Sequence, residues 1–260
     1  MKKILMTALL LTLTICAGCD NSFSNANKII VGLDDNFPPM SFRDAKGIIG
    51  GFDVDLAKET AKRLGMKIEF KSIDWSLKLD ELNSKHIDII WSGLDITPER
   101  QENILFSKPY MDNRQIVFVR RDGDFKIISE IDLAGKIVGT QAGSTVSDYL
   151  DTNENLKNSF RELKTYNTYT NAWNALDYGE IDALICDEIF GRYAMSKELD
   201  KFEALNVIVG TASSFGVGFR KTDVELRNKV QKVLNEMIKD GTAKKISERW
   251  FQADLIKSHR

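Results

Sequence analysis

Asp187 and Arg100 each lie just past the carboxyl end of a stretch whose apolar pattern predicts a buried strand. Ile181–Ile185 runs into Asp187, and Ile87–Trp91 runs into Ser92-Gly93-Leu94-Asp95-Ile96-Thr97-Pro98-Glu99-Arg100. Open α/β sheets bind their ligands outside the carboxyl ends of the strands. A carboxylate and a guanidinium fixed in one crevice are complementary to a zwitterion, and an α-amino acid is the commonest small one. The alternative is that the two residues form a salt bridge that only supports the fold. Position favours a ligand: Asp34, Ser92, Thr145 and Asp187 all follow predicted strands, on the same side of the sheets. Phe37 lies close behind Asp34, and Trp75 follows the stretch Ile68–Ile73, so two flat rings could flank a ligand. Taken singly, such aromatics are more often core. Gln141-Ala142-Gly143-Ser144-Thr145 is a turn before a helix. Its Ser and Thr can simply cap that helix, or its free amides can receive an anionic group. No Gly-x-x-x-x-Gly-Lys-Ser/Thr run occurs, so a nucleotide phosphate loop is unsupported.

The elements that must hold these residues alternate between strand and helix. Lys28–Leu33 reads as a short apolar strand. Asp53 is placed to cap a helix with Val54, Ala57, Ala61 and Leu64 on its apolar face, stopped by Gly65. Met66–Phe70 alternates as a half-buried strand, Ser76–Ser84 reads as a helix, and Ile87–Trp91 is a continuous strand. A second set comprises the strand Lys136–Gly139, a helix from Thr145, the helix Asn171–Tyr178 ended by Gly179, and the strand Ile181–Ile185. Alternation of this kind predicts parallel sheets with helical crossovers. Two sets predict two lobes, joined at Tyr110–Arg114 and Gly210–Phe215. The stripe Leu226, Val230, Val233, Leu234, Met237 and Ile238, in a helix over Asp223–Lys239, reads as core.

The 260 residues are 43% hydrophobic and 28% charged, with a formal charge of −2, so there is no basic footprint for nucleic acid. Lys2 and Lys3 precede the mostly apolar Ile4–Cys16, which is too short to span a bilayer and reads as a signal peptide. The run Ile15-Cys16-Ala17-Gly18-Cys19-Asp20 resembles the lipobox of bacterial lipoproteins, with Cys16 where leucine is usual. That resemblance makes Cys19 the lipidated mature N-terminus; the alternative is an ordinary cleaved signal. Cys186 is then the lone remaining cysteine, so no intrachain disulfide is expected.

Four ordered motifs carry a wider resemblance. Asp34-Asp35-Asn36-Phe37-Pro38-Pro39-Met40-Ser41-Phe42 and Gly50-Gly51-Phe52-Asp53-Val54-Asp55-Leu56-Ala57 resemble the opening signature of the polar amino-acid-binding proteins of bacterial ABC importers. Ile87-Asp88 through Thr97-Pro98-Glu99-Arg100, then Phe106-Ser107-Lys108-Pro109-Tyr110, resembles that family's middle signature. Gly143-Ser144-Thr145, and Gly179-Glu180-Ile181-Asp182-Ala183 through Asp187, resemble its second lobe. The resemblance covers residues 28–251. It implies an α/β, two-lobed fold of the type II periplasmic-binding-protein kind, with a mostly parallel sheet in each lobe and a two-segment hinge. Residues 1–18 are then the signal peptide, 19–27 a lipidated tether, 28–112 with 213–260 the first lobe, and 113–212 the second.

Carried over by residue, the resemblance has Arg100 clamp the ligand carboxylate, helped by backbone amides at Asp95 and Thr145. Asp187, the Gly93 carbonyl and the side chain at 95 receive the ammonium. Phe37 and Trp75 stack on the ligand, Asp34 and Gln141 face its side chain, and Ser92 and Ser144 complete the site. Asp95 departs from the family, which usually has serine or threonine there. The implied protein is a monomeric extracytoplasmic receptor that hands a free amino acid to a membrane permease. It would touch the membrane only through its lipid, on the outer face of the cytoplasmic membrane or in a periplasm.

A dehydratase-like enzyme on the same scaffold is the alternative. The chain has only two histidines, His86 and His259, neither at a strand end, so a histidine base and a metal site both lack residues and no cofactor is expected. With one arginine committed to the α-carboxylate, an acidic ligand side chain would stay uncompensated. Neutral polar or basic amino acids are therefore expected over acidic ones, with Gln141 tipping the balance slightly to neutral polar.

Overall fold

A computed structural model of the protein describes residues 27–123, 125–198 and 200–258. The expected signal peptide, Cys19, most of the tether and His259 lie outside the described residues.

Strand β1 (Lys28–Leu33) becomes continuously buried toward its carboxyl end. A small sheet of β2 (Asn36–Phe37), β3 (Ser41–Arg43) and β4 (Ile49–Gly50) follows. Helix α1 (Phe52–Leu64) stops at left-handed Gly65, as expected, but Asp53 does not cap it. Gly51 takes the cap position with φ 138°, and Asp53 is buried inside the first turn. A Cβ on Gly51 would lie 2.2 Å from the Met40 carbonyl oxygen, so the chain can pass there only as glycine. Strand β5 (Lys67–Ser72) then pairs in parallel with β1.

The expected helix Ser76–Ser84 is split. Asp74 accepts the Ser76 N–H and winds Trp75–Leu77 into a 3₁₀ turn, after which α2 (Lys78–Asn83) begins. Strand β6 (Ile89–Ile90) is shorter than the expected Ile87–Trp91, because the Ile87 N–H bonds the Glu81 carbonyl at the end of α2. Helix α3 (Pro98–Asn103) starts at a Thr97 cap and leads into β7 (Ile104–Phe106) and β8 (Met111–Asn113).

The second set runs β9 (Gln115–Arg120), β10 (Ile137–Gln141), α4 (Thr145–Thr152), α5 (Glu154–Ser159), β11 (Glu162–Tyr166), α6 (Tyr169–Asp177) and β12 (Ala183–Asp187). It continues through α7 (Glu188–Met195) and β13 (Phe202–Ile208), and the chain returns by β14 (Ser213–Phe215), β15 (Gly218–Arg220), α8 (Val224–Lys239) and α9 (Thr242–Phe251). The strand before Asp187 sits two residues later than expected, since the Ile181 N–H is held by the Ala175 carbonyl at the end of α6. Asp187 is thus the last residue of β12 rather than the one beyond it.

Two five-stranded sheets result, ordered β5-β1-β6-β15-β7 and β11-β10-β12-β9-β13. In each, one strand runs against the other four: β15 is antiparallel to β6 and β7, and β9 to β12 and β13. The fold is two-lobed and α/β, with sheets flanked by helices. Strands β8 and β14, inside the two expected hinge segments, pair antiparallel as a ribbon between the sheets. The apolar stripe of α8 is core at Val230, Val233, Leu234 and Met237, while Leu226 and Ile238 are partly buried.

Candidate functional site

Because parallel strands all present their carboxyl ends on one edge, the loops after β1, β6, β10 and β12 converge where the two sheets face each other. Asp34, Phe37, Trp75, Ser92, Gly93, Asp95, Arg100, Gln141, Ser144, Thr145 and Asp187 line one cavity there, together with Tyr169. Every ligand-site residue expected from the sequence is therefore brought together. Tyr169 was not anticipated. It opens α6, is buried, and its hydroxyl has no hydrogen-bond partner among the described residues. The alternation of strands and helices carried no signal for it, because the first residue of a crossover helix is not a strand end.

The halves meet closely around this cavity. Gln141 Nε2 donates to Asp34 Oδ2 (2.6 Å), Thr145 Oγ1 to Asp95 Oδ2 (2.6 Å), and Thr170 Oγ1 to the Asn36 carbonyl (2.9 Å). Phe37 stacks on Phe190 at 5.9 Å and tilts against Tyr169 at 5.9 Å, so its ring joins the apolar core of both halves as well as lining the cavity.

Two buried carboxylates form one end of the site. Asp187 Oδ1 accepts from Asn113 Nδ2 and from Gln115 Nε2 (2.9 Å), while Oδ2 takes no hydrogen bond among the described residues. Asp95 accepts from Asn113 Nδ2 (3.0 Å), Gln115 Nε2 (2.9 Å), Thr145 Oγ1 (2.6 Å) and Ser213 Oγ (2.6 Å). Neither acid has a salt-bridge partner among the described residues. Burial first, and then the Asp95 charge, push the Asp187 carboxyl well above the ordinary range, and the Asn113 and Gln115 hydrogen bonds, then Arg100, only partly offset this. Asn113, Gln115 and Ser213 were also missed from the sequence. They lie on hinge strands or at the start of β9, where polar residues give no periodic signal.

Arg100 forms the other end. The structural alternative, an Arg100–Asp187 salt bridge, is not what is seen: Arg100 Nη2 and Nε reach Asp148 Oδ2 at 2.8 and 3.1 Å. Asp148 sits in the first turn of α4, and its side chain is 42% exposed. Arg100 also donates to the carbonyls of Gly143 (3.2 Å) and Asp95 (3.4 Å). Ser144 caps α4 through the Ser147 N–H, so its hydroxyl supports the helix start. The first amides of such a helix lack intrahelical acceptors, and its dipole favours negative charge there.

A second cation lies nearby that a search restricted to strand ends could not find. Lys78, on α2, is 5% exposed and donates to the carbonyls of Gly143 (2.7 Å) and Trp75 (3.2 Å). Burial, and then the Arg100 charge, lower its ammonium to about 7. Arg114 pairs with Glu188 and Arg43 with Asp35, and neither lines the cavity.

Behind the cavity, buried Asp53 accepts the Gly93 N–H (2.7 Å) and the Tyr110 hydroxyl (2.8 Å). It fixes the ligand loop to α1 and to the approach to the hinge, and burial pushes its carboxyl up to about 7. Gly93 needs to be glycine: its φ is +55° and a Cβ would lie 2.4 Å from Phe37. Ser92 Oγ accepts the Asp34 N–H (3.1 Å) and meets Ser41 Oγ at 2.6 Å, so this hydroxyl is committed to the loop. Asp34 is pushed up to about 6 by burial, against the lowering bond from Gln141. Chemically the arrangement can hold a small molecule by its two ends, cation at Asp187 and anion at Arg100.

Residues 29–253 match the family of bacterial extracellular solute-binding proteins, family 3. The chain is 31% identical over 240 residues to the L-cystine-binding protein TcyJ of Escherichia coli (strain K12), covering 92% of this chain and 88% of that one. It is 31% identical over 264 residues to the ABC transporter arginine-binding protein 1 of the same organism, covering 96% and 99%. An ABC uptake transporter substrate-binding protein from Streptococcus pneumoniae, solved with bound histidine, superposes with a TM-score of 0.84 at 33% identity, over 89% of this chain and 95% of that one.

Proposed function

The chain belongs to family 3 of the bacterial extracellular solute-binding proteins, and from that premise we propose how it recognises its solute. It is a binding protein of an ABC importer and not an enzyme. Its solute is a free α-amino acid, held with the ammonium on Asp187 and the carboxylate on Arg100. The observation that carries this reading is the open Oδ2 of Asp187 at one end of a cavity whose other end is a guanidinium. A charge-assisted bond is roughly twice as strong as a neutral one, and a bidentate arginine adds geometric selection. Residues 28–112 with 213–260 move as one lobe against 113–212, bending at the β8–β14 ribbon, and the closed shape is what a permease reads.

Acidic amino acids are the poorest ligands, because a second ligand carboxylate would meet Asp34, Asp95 and Asp187. Basic side chains rank ahead of neutral polar ones. The Gln141 amide, which favoured a neutral ligand, spends its Nε2 on Asp34 and on the Asn167 carbonyl. Asp34 is left as the acceptor that gains most from a cation. Relatives whose solutes are arginine and histidine support this class. Members of the family work outside the cytoplasm; for this chain we add a lipid anchor at Cys19 and a monomeric state.

Thermal shift against the twenty amino acids plus cystine and ornithine tests the reading. A ligand at a thousand-fold excess over Kd should stabilise the protein by about 4 kcal/mol. Glutamate or aspartate as the largest shift would overturn the charge argument, and no shift at all would overturn the receptor reading.

A further inference from the structure

We propose that Asp95 is a positioning residue, a clasp that ties the loop before α3 to the hinge and to the second half and so sets how readily the cleft closes. This deepens the receptor reading and rests on it only for what happens when an amino acid is added.

An ionised carboxylate offers about four lone-pair sites. In Asp95 all four are taken by protein donors: Asn113 and Ser213 on Oδ1, Gln115 and Thr145 on Oδ2. The side chain therefore has no acceptor capacity left for a ligand ammonium, unlike Asp187 beside it. Its donors fall into two groups. Asn113 and Ser213 come from β8 and β14, the two strands of the hinge ribbon. Gln115 and Thr145 come from the second half, at the start of β9 and of α4. The backbone of Asp95 is also bridged to Phe215 in β14, so the residue is anchored to the ribbon from both main chain and side chain.

A serine or threonine at this position has one hydroxyl, too short and with too few lone pairs to receive four donors from three directions. The four-acceptor carboxylate makes the difference. Each of its bonds is charge-assisted, and none requires a ligand atom. The two bonds to Gln115 and Thr145 favour the closed arrangement directly. The two to the ribbon hold the carboxylate where those donors can find it.

Small-angle X-ray scattering of the ligand-free protein and of Asp95→Ser, each with and without millimolar L-arginine, tests the clasp. The ligand-free variant should have a larger radius of gyration than the ligand-free parent. L-Arginine should bring both to one value, at a Kd roughly tenfold weaker for the variant, because less of it is closed beforehand. Ser213→Ala, which removes one bond and no cavity-lining residue, should fall between the two and provides the readout if Asp95→Ser misfolds. Equal ligand-free radii would overturn the proposal, and weaker binding with equal radii would make Asp95 a direct ligand contact instead. If L-arginine compacts neither protein, the basic-ligand reading fails, while the ligand-free comparison still decides the clasp.

Discussion

At one end of the cavity Arg100 is paired with Asp148, whose side chain is 42% exposed; at the other, Asp187 and Asp95 share the amides of Asn113 and Gln115 and have no salt-bridge partner among the described residues. The pair is half-exposed, with Arg100 buried and Asp148 reaching solvent, and an incoming carboxylate can replace Asp148 because Asp148 returns to water. The buried acids are different. Asp95 is satisfied by four protein donors, but Asp187 keeps one oxygen unbonded and has no cation, and a ligand ammonium supplies what it lacks. The anion end is therefore a relay of partners, while the cation end is a deficit that binding fills.

The largest effects should follow substitution of the two anchors. Arg100→Ala and Asp187→Asn should each weaken amino-acid binding by about 2–5 kcal/mol, since each leaves a ligand charge buried and unpaired. Their stabilities should diverge. Asp187→Asn replaces a carboxyl that burial already disfavours, so its melting temperature at neutral pH should not fall. Arg100→Ala loses the packed stem and the bonds to Gly143 and Asp95, and should melt lower. Calorimetry and a thermal melt of each variant check both halves. Equal binding by Asp187→Asn and the parent would remove the cation-end argument.

A smaller effect should appear with pH. Asp34 and Asp53 titrate near 6 and 7 in the folded chain, and Asp187 is also raised, all above the usual carboxylate value in the unfolded chain. Between about pH 5 and 7 the native state then holds more protons than the unfolded one, so these groups make stability fall as pH rises. Lys78, lowered to about 7, acts in the opposite sense but only above that value. Binding has the reverse slope. A ligand ammonium selects ionised Asp187, so affinity should fall as pH drops through the same window, with proton release measurable by calorimetry in buffers of different ionisation heat. A ligand-free melting temperature that climbs steadily from pH 5 to 7 would contradict the assignment.

Much of this site was legible because strand ends are legible. Asp34, Arg100, Gln141 and Asp187 follow apolar runs, and parallel sheets must gather such residues on one edge. What escaped was whatever depends on neighbours distant in sequence. Asp53 stands just ahead of an apolar helical stripe and reads as a cap, yet it is drawn inside by Gly93 and Tyr110. Lys78 looks like a solvated helix residue, and its burial comes from the Gly143 carbonyl of the other half. Asn113 and Gln115 sit in a stretch whose pattern says only that the chain is extended. The short strands β2 to β4 are too brief for periodicity to register. Tertiary hydrogen bonds, rather than local propensity, decide all of these.

The smallest effect, and the sharpest test of the contrast between the two ends, concerns Asp148. If Asp148 only keeps Arg100 paired until a ligand carboxylate arrives, it competes with that carboxylate for Nη2 and Nε. Asp148→Asn keeps the shape and a weaker hydrogen bond but removes the competing charge. Its side chain is partly solvated although Arg100 is buried, and Asn still accepts from the guanidinium, so the change should cost on the order of 1 kcal/mol and the fold should tolerate it. Binding should then tighten rather than weaken, by at most about fivefold on the same scale, and by less at high salt. If Asp148 instead holds Arg100 in its clamping geometry, the variant should lose affinity, and more than the exposed pair alone can account for. Calorimetric titration of L-arginine into the parent and Asp148→Asn, at low and high ionic strength, separates the two by sign. A gain that salt erases fits an exchangeable counter-ion, and a loss that salt leaves unchanged would make the anion end as rigidly built as the cation end.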